Sequence, residues 1–202
     1  MGNKVTSSKP KITTYSVKGK TLKEVWDHVL KVGPKDPNDN KKVAALTETT
    51  IIVADKWDAE VRGGRCLKTG KIETRVGVKN MTMKVEGTIK LPKLSGNTLT
   101  KTAKKEWDRF LGKLDKHERE HMVVTEKLAK TMGDEIMKIE GVGLGDDEDK
   151  AFEAGRAAFI KLYIASYGGK KIADRITAAA KKLDKASGHG AKHGAVLNYD
   201  IT

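Results

Sequence analysis

The strongest constraint on the fold is a helical hydrophobic repeat in the second half of the chain. From about Thr102 onward, apolar residues and two histidines recur every three or four positions, which is the spacing of one face of an α-helix. The stripe contains Trp107, Phe110, Leu111, Leu114, His117, His121, Val124, Leu128 and Met132. The pattern predicts one long amphipathic helix whose inward face, rather than its charged face, carries both histidines.

The region before this helix is predicted to be mainly β-structure. The stretches "ALTETTIIVADKW" and 67–91 are rich in Val, Ile and Thr and alternate between apolar and polar residues, which predicts at least three strands. Turns are predicted at Gly63-Gly64 and Lys79-Asn80, and Pro92 is predicted to close the last strand. Residues 1–13 are polar and rich in Lys and Ser, so we expect a flexible lead-in there.

Three further helices are predicted from their caps and breaks. In "TLKEVWDHVLKVGP", Thr21 and Glu24 form a capping box and Gly33-Pro34 ends the helix. Residues 146–148 are predicted to cap a second helix that runs through "KAFEAGRAAFIKLYIASY", and after Gly168-Gly169 the pattern resumes in "KKIADRITAAAKKLDKA". "GVGLGDDED" is predicted to interrupt the helices, and the tail "SGHGAKHGAVLNYDIT" is glycine-rich and irregular.

The charge and cysteine content limit the partners and the metal chemistry. Forty Lys and Arg against 27 Asp and Glu give a net charge of +13, which suits anionic partners. Nucleic acid is not expected, because the lysines are scattered among acidic residues and few aromatic side chains could stack on bases. The single cysteine, Cys66, excludes an intrachain disulfide and a cysteine-based zinc site, so we expect it to be a small, partly buried side chain.

The N-terminus and the hydropathy of the chain bear on the location of the protein. The N-terminus lacks the apolar core of a signal peptide, and no later window reaches the apolar length needed to cross a bilayer. Two locations fit these observations: the cytoplasm, or export by a specialised secretion route as a toxic cargo. A potent hydrolase in its own cytoplasm would need an inhibitor or immunity partner, or a very narrow substrate.

The stretch "HEREH" is the candidate catalytic motif. A helix turns about 100° per residue, so side chains four positions apart lie within about 40° of each other. His117 and His121 can therefore direct both rings at one zinc ion, and Glu118 can act as general base on a water molecule. The alternative is a pair of hydrogen-bonded structural histidines with Glu118 in solvent.

Five stretches and a lone cysteine occur in an order that matches one bacterial family. They are "YSVKGKTLKEVWDHVLKVGP", "ALTETTI", Cys66, "TIKLPKL", "WDRFLGKLDKHEREH" and "LDKASGHGAKHGA". Over roughly 15–197 the chain resembles a family of predicted secreted zinc-dependent proteases, long catalogued as a domain of unknown function. It departs from that family at Glu120, where a small residue is usual, at Leu183-Asp184, where Tyr-Asp is usual, and in lacking an export leader.

The third zinc ligand has several candidates. A histidine six residues after His121 is excluded because Lys127 stands there. Glu140 and Glu153 lie at plausible distances along the chain, but the resemblance implies His189, in the family's closing His-Gly segment.

Roles are also expected for two residues near the end of the chain and for one histidine on the first helix. His193 aligns with a position that is not histidine in the family, and we expect it to polarise the substrate carbonyl. Asp184 is about one helical turn from His189 and could orient a ligand imidazole through its second nitrogen. His28, beside Asp27 on the first helix, is expected to be structural or exposed.

Together these features predict an α+β fold and a metal-dependent hydrolase. We expect a small N-terminal antiparallel sheet with one helix (14–95) packed on a mostly helical, zincin-like part (100–202), the two forming a single domain over 14–202. The predicted function is zinc-dependent hydrolysis of peptide bonds in a protein or peptide substrate. The alternatives are an amidase or endopeptidase acting on cell-wall peptides, a secreted antibacterial toxin, and, in another class, a basic non-catalytic binding module.

Overall fold

A computed structural model describes residues 2–37, 40–53, 58–65, 69–96 and 99–201. Cys66 lies outside these ranges, so the expectation for its side chain stays a prediction. The strands are β1 Gly2–Ser7, β2 Lys11–Val17, β3 Leu46–Val53, β4 Asp58–Arg65, β5 Ile72–Leu94 and β6 Gly141–Gly145. The helices are α1 Leu22–Val32, α2 Lys101–Ile136, α3 Glu148–Tyr167 and α4 Lys171–Ser187, followed by a 3-10 turn Ala191–His193.

The α+β class is confirmed, but the strand directions correct one part of the prediction. Within the described ranges every other strand pairs with β5. β4 and β6 run antiparallel to β5, as expected. β1 and β2 run parallel to it, so the sheet is mixed rather than antiparallel. Alternation of apolar and polar residues identifies a strand but carries no information about the direction of its neighbour.

Residues 1–13 differ from the predicted flexible lead-in. Residues 2–7 form β1, which pairs in register with 80–85, and β2 begins at Lys11. Backbone hydrogen bonds to a long neighbouring strand order this polar segment. Such bonds use no particular side chain, which is why the composition did not reveal the strand.

The predicted turns at Gly63-Gly64 and Lys79-Asn80 are wrong. The two glycines lie inside β4, and β5 runs without a break from Ile72 through Lys79-Asn80 and Pro92 to Leu94. Burial alternates along most of β5, because the side chains on one face of the strand are buried while those on the other face point outward. The turns were predicted from the local preferences of these residues. In the structure, pairing with strands on both sides of β5 overrides those preferences.

The glycine-rich stretch "GVGLG", predicted to interrupt the helices, forms β6. A Cβ atom added at Gly141, Gly143 or Gly145 would lie 2.1–2.3 Å from backbone atoms of α3. The absence of side chains on this face of β6 therefore lets α3 pack directly on the strand. Glycines usually weaken a strand prediction, so the signal for β6 was lost.

The chain divides into two compact units, each built from three separate segments. Unit 1 comprises 1–7, 51–85 and 126–176, and unit 2 comprises 8–50, 86–125 and 177–202. The units therefore do not follow the predicted sub-regions 14–95 and 100–202. That 14–202 form a single domain stays a prediction.

Unit 2 has an apolar core around the first part of α2. Trp107 and Phe110 are each 1 % exposed and form one cluster with Leu22 and Val29 of α1 and Ile89 of β5. The Thr21 half of the predicted capping box is confirmed, because the Thr21 side chain accepts a hydrogen bond from the Glu24 backbone N–H at 3.2 Å. The Glu24 carboxylate accepts a hydrogen bond from the Lys20 backbone N–H at 2.7 Å. This core fixes the part of α2 that continues into the HEREH sequence.

Unit 1 is built around α3, β6 and the last part of α2. α3 begins at the predicted cap, since the Asp147 side chain accepts a hydrogen bond from the Lys150 backbone N–H. The Oε2 atom of Glu135 accepts a hydrogen bond from the Tyr167 hydroxyl at 2.7 Å and another from the Arg175 guanidinium at 2.7 Å. None of the helices in the described ranges is long and apolar enough to span a membrane.

Candidate metal centre

Three polar side chains of the HEREH sequence are buried on the inner face of α2. His117 is 2 % exposed, Glu118 is 5 % exposed and His121 is 9 % exposed. The prediction that a long helix places both histidines on its inward face is confirmed. Buried ionisable groups are costly unless they are paired, so each of these side chains needs a partner in the fold.

Asp184, near the end of α4, is the partner of both histidines. The Nε2 atom of His117 lies 3.3 Å from Asp184 Oδ1, and the Nε2 atom of His121 lies 3.2 Å from the same oxygen. The two imidazole rings are 5.0 Å apart between centroids. Two ring nitrogens one helical turn apart thus converge on one carboxylate oxygen.

These three ligand atoms fit a metal site. All of them lie within 4.8 Å of one another, and the cluster could hold a metal ion. Ligands bound to one zinc ion at about 2.0–2.1 Å in a tetrahedron lie about 3.3–3.4 Å from each other. The two nitrogen–oxygen distances of 3.3 and 3.2 Å are close to that edge length. Two neutral imidazoles with one carboxylate are also a donor set that divalent metals prefer.

The other ring nitrogens of the two histidines have no hydrogen-bond partner within the described ranges. Nδ1 of His117 and Nδ1 of His121 are both buried and make no hydrogen bond in the described structure. Burial lowers the pKa of His117, but the hydrogen bond to Asp184 and the nearby carboxylates outweigh it and raise that pKa above its usual range. Burial raises the pKa of Asp184, yet the hydrogen bonds from both histidines outweigh it and lower that pKa. Asp184 is therefore held as a carboxylate, the form that binds cations.

Glu118 is held by a residue of β3. The Thr47 hydroxyl lies 2.7 Å from Glu118 Oε2 and 3.1 Å from the Glu118 backbone oxygen. Burial raises the pKa of Glu118, and the Thr47 hydrogen bond and the two histidines oppose that rise only in part. A buried carboxylate with a raised pKa has the environment of a general base rather than of a solvated surface group. The alternative of a merely solvated Glu118 is excluded by its burial.

The turn after α4 brings the backbone against the first histidine. Gly190 has a φ of 81°, and a Cβ atom added there would lie 3.0 Å from ring atoms of His117. Its N–H donates a hydrogen bond to the buried Ser187 hydroxyl at 3.1 Å. The second glycine of the "GHG" sequence, Gly190, is thus required both by its backbone conformation and by its contact with His117.

His189, the predicted third ligand, lies at the edge of the cluster. Its Nδ1 atom is 3.9 Å from Asp184 Oδ1, and its side chain is 69 % exposed. The group of atoms that contains both HEREH histidines and is close enough to share one ion includes Asp184 instead. The geometry therefore favours Asp184 as third ligand, and the assignment of His189 stays a prediction.

His193 and Glu120 form a second contact beside His117. His193 Nδ1 lies 2.9 Å from Glu120 Oε2, and the same oxygen is 3.8 Å from His117 Nδ1. The His193 ring is 5.9 Å from the His117 ring between centroids. The structure thus places His193 close to the site, whereas its predicted role in polarising a substrate carbonyl stays a prediction.

An ion pair between the buried Glu106 and the exposed Arg109 holds the tail that follows His193. Both carboxylate oxygens of Glu106 accept hydrogen bonds from Arg109, at 2.6 and 2.7 Å. Arg109 also donates to the backbone oxygens of Gly194 and Val196, and Glu106 accepts from the Asn198 N–H at 2.9 Å. These contacts tie the C-terminal tail of unit 2 to α2, on which the histidines lie.

The other candidates have partners elsewhere. Glu140 pairs with Arg62 and Arg75, and the exposed Glu153 pairs with Arg156, so both belong to ion pairs of unit 1. His28 accepts a hydrogen bond from the Lys18 N–H at 3.3 Å, as expected of a structural histidine.

Thr47 is the site residue that the sequence did not indicate. It lies in the "ALTETTI" stretch that contributes to the family resemblance, but threonines are ordinary strand residues and no spacing connects Thr47 with Glu118. Asp184 was expected to orient a ligand imidazole. Because its Oδ1 atom lies 3.3 and 3.2 Å from the Nε2 atoms of His117 and His121, Asp184 is a candidate ligand itself.

The fold and site define an α+β protein with a candidate histidine–carboxylate metal centre. The chain belongs to the family DUF922, described as a bacterial protein of unknown function, whose model matches residues 12–190. The resemblance is confirmed to that extent, and the match gives a family but not an activity. No curated protein and no solved structure matches the chain.

Proposed function

We propose that the protein is a zinc-dependent peptidase. One observation carries the proposal: Nε2 of His117 and Nε2 of His121 converge on one oxygen of Asp184, beside the buried carboxylate of Glu118. Zinc suits this donor set because it is borderline-soft and prefers four ligands, and catalytic zinc sites use three protein ligands and keep one position open.

Zinc in such a site supplies Lewis-acid catalysis, which favours ionisation of water and polarises a carbonyl group. Glu118 would take a proton from the attacking water while the water oxygen forms its bond to the carbonyl carbon. When the carbon–nitrogen bond breaks, Glu118 would give that proton to the leaving nitrogen. The Thr47 hydroxyl, 2.7 Å from Glu118 Oε2, keeps the carboxylate in one orientation for both transfers.

The third ligand can be tested separately from the function. We assign Asp184 on the basis of its distances to both histidines. Zinc lost in Asp184→Ala and kept in His189→Ala would support this assignment. Zinc kept in Asp184→Ala and lost in His189→Ala would instead establish the histidine implied by the family resemblance.

The net charge of +13 favours an anionic substrate or surroundings. An amidase or endopeptidase acting on cell-wall peptides is therefore the second candidate, since its substrate is part of an anionic polymer. Casein digestion beside a turbidity assay on purified cell walls separates the two substrates. A toxin acting on other bacteria would be accompanied by an inhibitor protein in the producing cell.

The experiment that tests the function compares hydrolysis by the wild type, by the chelator-treated protein and by Glu118→Gln. A peptidase loses activity on chelation, regains it with zinc, and loses it in Glu118→Gln while zinc stays bound. If Glu118→Gln kept the full biological effect of the protein, the basic non-catalytic binding module would become the better account.

A further inference from the structure

One nitrogen of a proposed zinc ligand is left without a partner. His117 is 2 % exposed, its Nε2 atom faces Asp184, and its Nδ1 atom makes no hydrogen bond. Leaving a buried polar atom unpaired costs about 1–3 kcal/mol, so folded proteins rarely do so without a reason. The surroundings of Nδ1 therefore deserve a functional explanation.

A carboxylate close to that nitrogen belongs to Glu120. Glu120 Oε2 lies 3.8 Å from His117 Nδ1, three positions along the same helix. This distance is longer than a hydrogen bond. The Glu120 side chain is 31 % exposed, so it has room to move by the fraction of an ångström that a hydrogen bond requires.

A second histidine holds that carboxylate in place. His193 Nδ1 lies 2.9 Å from the same Oε2 atom. His193 ends the 3-10 turn, which is flanked by Gly190 and Gly194 at φ values of 81° and 83°. Only glycine adopts these conformations easily, so the backbone of the tail is shaped to place His193 beside Glu120.

Metal binding determines where the proton of His117 lies. A neutral imidazole carries one proton, on either Nδ1 or Nε2. When Nε2 binds a metal, the proton is on Nδ1, and metal-bound histidines almost always donate this N–H to a carboxylate, a carbonyl or water. The unpaired Nδ1 then becomes a donor directed at Glu120.

We propose that Glu120 is a positioning residue for the metal ligand His117: it accepts the His117 Nδ1–H in the metal-bound protein, and His193 holds its carboxylate in place. This inference rests on the proposed metal centre. The competing arrangement is a second cation bound by His117, Glu120 and His193, whose ligand atoms also lie within 4.8 Å of one another.

The first test measures zinc affinity by competition with a chromophoric chelator. Glu120→Ala is expected to bind zinc about 10- to 100-fold more weakly than the wild type, the usual cost of losing such a partner. Glu120→Gln keeps an acceptor oxygen and should recover part of the loss. Glu126→Ala, which removes the same charge from the same helix, is the control and should bind zinc like the wild type.

A double-mutant comparison separates the two residues of the pair. His193→Ala is expected to weaken zinc binding less than Glu120→Ala does, because it acts only through Glu120. In the Glu120→Ala background, His193→Ala should therefore change the affinity less than about twofold. Additive losses would show that His193 touches the metal or His117 independently and would overturn this part of the proposal.

Nitrogen NMR of the zinc-loaded protein gives a readout that a merely structural role would not move. The wild type should show a slowly exchanging, downfield proton on His117 Nδ1, which is lost in Glu120→Ala. Wild-type zinc affinity in Glu120→Ala would overturn the proposal. So would two zinc ions per chain with no proton on His117 Nδ1. If the wild type bound no zinc, both this inference and the proposed function would be wrong. If the wild type bound zinc and Glu120→Ala bound it equally well, only this inference would be wrong.

Discussion

The two halves of α2 bury the same helical stripe with different chemistry. In residues 101–125 the buried side chains include Glu106, His117, Glu118, His121 and Thr125, and in residues 126–136 they are apolar: Ala129, Met132 and Ile136. Burying ionisable groups costs free energy, whereas burying apolar groups supplies it. The second half therefore contributes to stability alone, whereas the first half combines an apolar core around Trp107 and Phe110 with a cluster of buried ionisable groups that costs stability.

The largest expected effect comes from breaking the chemistry of the first half. Glu118→Gln should lower the rate of peptide hydrolysis by about 10²- to 10⁴-fold, the contribution of a general base. Zinc content should be unchanged, and the thermal midpoint should not fall, because the substitution removes a buried charge. Steady-state kinetics, metal analysis and thermal unfolding check the three parts. A variant with more than a tenth of wild-type activity would contradict the role of Glu118.

The converse change in the second half should affect stability alone. Met132 is 0 % exposed, so Met132→Ala should lower the free energy of unfolding by about 2–5 kcal/mol through lost burial and a cavity. Urea unfolding measures this loss, and zinc titration of the folded variant should match the wild type. If zinc affinity dropped in a fully folded Met132→Ala protein, the division of roles between the two halves would be wrong.

Thr47→Val tests the role of the first half by removing one hydrogen bond to Glu118. Without the 2.7 Å contact the Glu118 carboxylate is no longer held in one orientation, and kcat should fall about tenfold, which corresponds to about 1.4 kcal/mol. Thr47→Ser keeps the hydroxyl and should restore most of the rate. Equal rates in Thr47→Val and Thr47→Ser would show that this hydroxyl does not position Glu118.

An effect of similar size to that of Thr47→Val, but on stability, concerns the one buried carboxylate of this half that is paired with an arginine. The hydrogen bonds from Arg109 lower the pKa of Glu106 from 4.5, so its ionised form stabilises the fold. Glu106→Gln should lower the free energy of unfolding by about 1.5 kcal/mol at neutral pH. The difference should be complete above about pH 4.5, the usual pKa, and shrink as the pH falls through the lowered pKa. Urea unfolding over this pH range checks it, and a difference that grew in acid would be the contradictory result.

The sequence predicted the elements whose signals are local. The stripe from Trp107 to Met132 predicted α2 and the inward position of both histidines, and the Thr21 cap predicted the start of α1. Both signals depend on residues within a turn or two of each other, so they survive without knowledge of the rest of the fold.

The remaining features depend on residues far apart in the sequence. β1 is ordered by 80–85, β6 by its glycine contacts with α3, and Glu118 by Thr47, which is 71 positions away. Asp184 likewise reaches His117 across 67 positions. No periodicity or spacing rule connects such pairs, so the third member of the cluster and the hydrogen bond that holds Glu118 required the structure.

In the proposed metal centre, the buried histidines of α2 hold a metal ion together with Asp184. The most direct test is the zinc content per chain of purified wild type, His121→Ala and Asp184→Ala, each after reconstitution with zinc and removal of the excess. We expect one zinc per wild-type chain and a loss of zinc in both variants. A wild type without zinc would contradict the account and leave the HEREH sequence as a hydrogen-bonded structural cluster.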